Sequence, residues 1–297
     1  MVMKMNWTNN DNTDEDETVN ATFEETRKKI RNQIKTRMNR DRTYHCCSIT
    51  ASPKRGKTRV ALDSRTDEEI ERGMKIYVLD FDDGAEPTWS SSWDRDENII
   101  IFNPLEYSLD GTLNWEVSMQ NGHDFCRYVK DVMAEGEEVK SVIFDGLDKA
   151  LECASDILRN HLVKSMKRSG SIIHETDSIR VPALDWKIRN RINERLLTDF
   201  LTIECDRYCI THMKPVYEGI HSPAAVGEVP NWEKSTPAKF HQMIHITKTK
   251  VGSITNYVAE LTASKTNSDL VGKEWTIFTT NGDNKWFGIP ELREGKL

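Results

Sequence analysis

Past residue 43 the chain breaks into short apolar runs separated by longer stretches in which apolar residues return every three or four positions. The runs read as strands near 44–50, 75–80, 98–102, 139–145 and 207–211. The stretches between them read as helices over 57–72, 122–134, 147–167 and 184–204. Strand and helix in alternation predict a wound α/β domain with a mostly parallel central sheet flanked by helices. Toward the end the rhythm changes. QMIHITKT, NYVAELTA and EWTIFTT are rich in β-branched and aromatic residues and predict antiparallel strands joined by turns.

Ahead of this domain lie two segments of different character. Residues 1–20 are dominated by Asn, Asp, Glu and Thr, with too few aliphatics to offset the entropy of ordering, so a disordered acidic tail is expected. TFEETRKKIRNQIKTRMNRD follows, with Thr22 and Glu25 spaced as a capping box. Phe23, Ile30, Ile34 and Met38 recur opposite Arg27, Lys28, Arg31, Lys35 and Arg42, which predicts a basic amphipathic helix over 21–43. Such a helix either docks its apolar stripe on the domain or forms an arm toward another subunit or nucleic acid. The domain itself is expected over 44–297.

Composition narrows the class. The 297 residues are 30% charged and 37% hydrophobic, a globular balance, and no apolar run nears the roughly 20 residues of a membrane-spanning helix. MVMKMNWTNNDNTDEDE lacks the apolar core of a secretory signal, so a cytoplasmic location is expected. The six cysteines form no CxxC pair, which fits a reducing compartment. A net charge of -7 argues against a uniformly basic coat for nonspecific nucleic-acid binding and leaves local patches open.

The chemistry begins at SITASPKRGKTRVAL. A phosphate loop needs a strand, a turn of free backbone N–H groups, then a helix, with Lys toward the phosphates and a hydroxyl toward Mg²⁺. YHCCSIT supplies the strand. The loop would be Ala51, Ser52, Pro53, Lys54, Arg55, Gly56, Lys57 and Thr58, with Lys57 as the phosphate cation and Thr58 as the metal hydroxyl. Ala51 stands where the usual pattern has Gly, which matters only if that position needs a positive φ. SVIFDGLD then delivers Asp145 to the C-terminal end of a buried strand, where it can share Mg²⁺ with Thr58. KIYVLDFDD crowds Asp80, Asp82 and Asp83 at another strand end, and Asp82 is the candidate to orient water. DRYCITH ends in Thr211 and His212, a polar pair placed to sense a terminal phosphate. Two metal-like spacings, His241 with His245 and Cys205 with Cys209 and His212, lack an acidic partner or a paired motif.

In their order, ASPKRGKT, VLDFDD, VIFDGLD and YCITH resemble the RecA-like P-loop ATPase core, and in particular phage-encoded RecA-like ATPases associated with single-strand annealing and recombination. The resemblance spans Tyr44 to the C-terminus. It implies ATP and Mg²⁺ as cofactors, Asp82 as the water-activating carboxylate and His212 as the sensor where the family carries Gln. It also implies that Lys265, in LTASKTNSDLVGKEWTI, reaches the phosphate of a neighbouring subunit in a ring or filament. Single-stranded DNA is the implied partner, held by loops over 166–182 and 214–239, where Lys167, Arg168, Lys214 and Lys239 would meet phosphates and Tyr217 or Trp232 would stack on a base. A single-strand annealing or binding protein is a further implied partner, in the host cytoplasm. Three other functions stay open on the same residues: a P-loop kinase for a nucleoside or small metabolite, a packaging or helicase-loading motor, and a scaffold that binds ATP without appreciable turnover.

Overall fold

The computed structural model describes residues 25–32, 34–35, 44–169, 181–182, 184–218, 225–280 and 288–297. The tail expected over 1–20 lies outside them. Two compact units are present, Met1–Thr43 and Tyr44–Leu297. In the first, residues 25–32 and 34–35 are helical, within the helix expected over 21–43.

The second unit is built on one sheet in the order β3-β2-β4-β5-β1-β7-β8-β9. β1 (Cys46–Ala51), β2 (Lys75–Asp80), β3 (Ile99–Phe102), β4 (Val139–Asp145) and β5 (Asp206–Tyr217) carry the parallel pairings. β7 (Gln242–Val251) joins β1 in parallel, and β8 (Ile254–Ser264) and β9 (Glu274–Thr279) follow antiparallel. The α/β architecture with C-terminal antiparallel strands is thus the one the sequence predicts.

Alternation along each strand sends neighbours to opposite faces, and both faces are covered. Tyr77, Leu79, Val142, Phe144 and Cys209 meet α4 (Trp115–Ala134), α5 (Leu147–Arg168) and α6 (Trp186–Leu201). Ile76, Val78, Ile143 and Ile210 meet α1 (Lys57–Leu62) and the C-terminal residues Ile289, Leu292 and Leu297. That two-sided burial is why the strands read as unbroken apolar runs. All six cysteines sit in these layers as free, buried thiols.

Several elements differ from their sequence reading. The helix expected over 57–72 is two helices, α1 and α2 (Asp67–Glu71), because Thr66 and Glu69 form a reciprocal capping box that starts a new helix. Between them Arg65 turns inward to Met74 O and the Asp96 carboxylate. α4 starts at Trp115 rather than Gly122, since Asn114 caps it by accepting from Val117 N. The segment after β2 holds an unforeseen helix, α3 (Ala85–Ser92), whose Pro87 lies in the first turn, where proline is tolerated. The expected loop over 214–239 is largely a hairpin. β5 continues to Tyr217 and pairs antiparallel with β6 (Ala225–Pro230), favoured by Val216, Tyr217, Val226 and Val229. Of the other expected loop, 166–182, residues 166–168 close α5 and 170–180 lie outside the described residues. α7 (Pro290–Arg293) is the last element.

Candidate nucleotide site

Register brings four strand ends to one edge of the sheet. Ala51 lies opposite His212, and Asp80 lies opposite Asp145. β5 separates the loop-bearing β1 from the Asp145-bearing β4, so the residues after it fall between the two. The carboxyl edge of a parallel sheet is where such folds bind ligands. A cleft of about 830 Å³ opens there, lined by residues 53–59 and by Asp82, Asp145, Asp148, Lys149 and His212.

The loop takes the shape its glycine allows. Gly56 has φ 83 and immediately precedes α1, a left-handed conformation that costs glycine little. Lys54 also takes a positive φ of 58. Ala51 does not, because it is the buried last residue of β1, and glycine is therefore not needed there. Pro53, Lys54, Arg55, Gly56, Lys57 and Thr58 line the cleft. Ser52 turns away and donates its hydroxyl to Glu228 Oε2 of β6 at 2.7 Å. Lys57 folds back over the loop, its Nζ 3.3 Å from both Ala51 O and Ser52 O. Burial holds its ammonium below the usual lysine range, opposed by Asp145, Asp82 and Asp148.

Thr58 Oγ1 donates to Asp145 Oδ2 at 2.6 Å. Burial, then the nearby Asp80, pushes the Asp145 carboxyl up to about 7. A hydroxyl and a carboxylate side by side, with surplus negative charge around them, are the oxygen donors a hard cation takes, and Mg²⁺ fills its remaining positions with water and phosphate oxygens. The pair therefore fits Mg²⁺. Among the described residues no group of three or more His, Cys, Asp or Glu could hold a metal ion, so the other two spacings assemble no site. His245 instead pairs with Thr50 Oγ1 at 3.0 Å.

The three carboxylates at the end of β2 part company. Asp80 is buried and accepts from Asp82 N, Gly84 N and Ala85 N, which builds the turn into α3. Asp83 accepts from Asn103 Nδ2 at 2.8 Å. Only Asp82 enters the cleft, where burial raises its carboxyl above the usual range and His212 opposes the shift. Its Oδ2 lies 3.6 Å from His212 Nε2. Behind it Gly146 has φ +85, and a Cβ there would stand 2.8 Å from Asp82 N, so the ends of β2 and β4 touch with no room for a methyl.

Asp148 was not singled out from the sequence. An acidic residue in the first turn of a helix reads as an ordinary companion of the helix dipole, and only the fold shows that it meets β5. Lys149, Arg59 and the α3 residues Pro87, Thr88, Ser91 and Ser92 complete the wall. Arg59 stacks on Trp93 at 4.0 Å. Lys265 lies outside the lining and donates to Ala238 O at 2.6 Å. Of the expected DNA contacts, Lys239 is paired with Glu194 at 2.7 Å and Trp232 packs on Phe240. Tyr217 is exposed.

No protein-family model and no curated protein matches the chain. Among solved structures it is similar to the crystal structure of a KaiC-like protein from the hyperthermophilic archaeon Pyrococcus horikoshii OT3. That likeness has a TM-score of 0.41 and 8% identity, over 79% of this chain and 86% of that one. It is too loose to bear on function. Sheet order, loop and carboxylate placement define an α/β fold whose mostly parallel sheet carries a phosphate-loop-like turn and the Thr58–Asp145 pair at one cleft. Among the described residues no helix is long and apolar enough to cross a membrane.

Proposed function

We propose that the protein binds ATP with Mg²⁺ in this cleft and hydrolyses it. The observation that carries the reading is the direct Thr58–Asp145 contact at 2.6 Å inside a cleft that Lys57, Asp82 and His212 also line. The first backbone N–H groups of a helix lack partners within it and can receive an anion, and Lys57 supplies a cation beside those of α1. Thr58 and Asp145 would hold the metal. When bound, Mg²⁺ offsets charge on the phosphate oxygens. Asp82 and His212 sit together on the cleft wall, where a carboxylate and an imidazole can orient a water molecule and accept its proton.

The finer reading is a DNA-stimulated ATPase acting on single-stranded DNA in phage recombination or replication. It works as a ring or filament in which Lys265 serves the neighbouring subunit's site, alongside a single-strand annealing or binding protein. Lys167 and Arg168 at the end of α5 and Lys214 on the hairpin supply cations for a DNA backbone, and exposed Tyr217 supplies a stacking face. Phosphate release measured with and without single-stranded DNA tests both levels. The expected outcome is release without any acceptor, faster with DNA, and lost in Lys57→Ala. Strict dependence on an acceptor hydroxyl would mark a kinase instead, and full activity in Lys57→Ala would remove the site.

A further inference from the structure

Asp148 lies in the first turn of α5 and is only 4% exposed. Its carboxylate accepts from two consecutive residues of β5. Oδ1 takes Thr211 Oγ1 and His212 N, each at 3.3 Å, and Oδ2 faces His212 Nδ1 at 3.2 Å. The other ring nitrogen, Nε2, points into the cleft toward Asp82.

We propose that Asp148 is a positioning residue that fixes both the orientation and the tautomer of His212, so that Nε2 presents its lone pair to the cleft. An ionised carboxylate has no proton to give, so the imidazole must donate from Nδ1. In the neutral ring the remaining nitrogen is then an acceptor, able to receive a proton from water or from a protonated Asp82. Burial works against an ionised Asp148, but the bonds from His212 outweigh it and hold the carboxyl below the usual range. Lys57 from α1, Lys149 from α5 and Asp82, two residues past the end of β2, are charged groups around this pair. The backbone N–H of His212 is an obligatory donor, and that makes the arrangement directional. In Asp148→Asn the amide oxygen must stay on that N–H, which turns the amide NH₂ toward Nδ1 and forces the opposite tautomer.

For its kinetic arm this inference rests on the hydrolytic reading of the cleft; its spectroscopic arm does not. Nitrogen-15 NMR of the full-length histidine-labelled chain, at a pH where the ring is neutral, reads the tautomer directly, with His212→Gln assigning the signal. The expected result is a proton on Nδ1 in the wild type and on Nε2 in Asp148→Asn. A wild-type ring protonated on Nε2, or a tautomer unchanged in the variant, overturns the proposal, and the wild-type measurement needs no variant to fold. In ATP hydrolysis, Asp148→Asn should lose roughly 10²-fold or more in kcat with KM for ATP within about twofold of wild type. Added to His212→Gln, the same change should cost nothing further. Multiplicative losses in the double variant overturn it as well. Absence of hydrolysis in the wild type, with the Nδ1 tautomer present, removes the hydrolytic reading and leaves the positioning role standing.

Discussion

Asp145 is a carboxylate with one close hydroxyl, crowded by Asp80 and Asp82. A carboxyl raised to about 7 is ionised at pH 8 at a cost to the folded state. The sign follows from linkage: the stabilising protonated form is fully present below the unfolded value near 4, and its contribution is lost as pH rises through 7. Asp145→Asn, which keeps an acceptor for Thr58, should therefore stabilise the metal-free protein at pH 8 by about 1–3 kcal/mol. Calorimetric melting checks this, and the same variant should lose the stabilisation that MgATP gives the wild type. Asp96 shows the opposite case. Burial raises its carboxyl, but the buried Arg65 guanidinium and the hydrogen bonds from Asn98 together outweigh that and hold it low. Its contribution is present above about pH 4 and is lost as pH falls through the depressed folded value. Asp96→Asn leaves Arg65 buried beside a neutral group and should cost about 2–4 kcal/mol at neutral pH, with little difference from wild type in strong acid.

How far such residues could be read in advance depended on whether their chemistry is local. Gly56, Lys57 and Thr58 belong to one turn, and Asp145 ends one strand, so spacing alone places them. Asp80, Asp82 and Asp83 are indistinguishable by spacing, since their fates depend on α3 and on Asn103. Asp148 acquires its partners only through pairing of β4 with β5.

At the scale of elements, the capping box that splits α1 from α2 makes Thr66 a single point of control. Thr66→Ala should lower stability by about 1 kcal/mol, read as a shift in urea midpoint without a change in slope. The touching ends of β2 and β4 are less forgiving. Gly146→Ala combines a left-handed φ with a Cβ pressed against Asp82 N, and two of the cleft's carboxylates, Asp82 and Asp145, ride on those ends. The expected cost is about 2–4 kcal/mol, together with weaker nucleotide binding in a fluorescent-analogue titration. The hairpin of β5 and β6 reads as a loop in the sequence because Gly, Pro and Ser recur through 214–239. The β-branched residues on either side were the better signal.

On the scale of the whole molecule, the α/β class was legible because strands buried on both faces leave continuous apolar runs that solvent-facing strands do not. Strand order was not. Nothing local in DRYCITH says that it lies between the loop-bearing strand and the Asp145 strand, and that placement is what assembles the site. A related consequence concerns β5 itself. It is held between two parallel neighbours, β4 as far as Cys209 and β1 as far as His212, and takes a single antiparallel partner, β6, from Met213 onward. His212 stands at that changeover, where the strand passes from the sheet into the hairpin. A tilt of the backbone at His212 would therefore be carried along the hairpin and would move Tyr217 further than His212 itself.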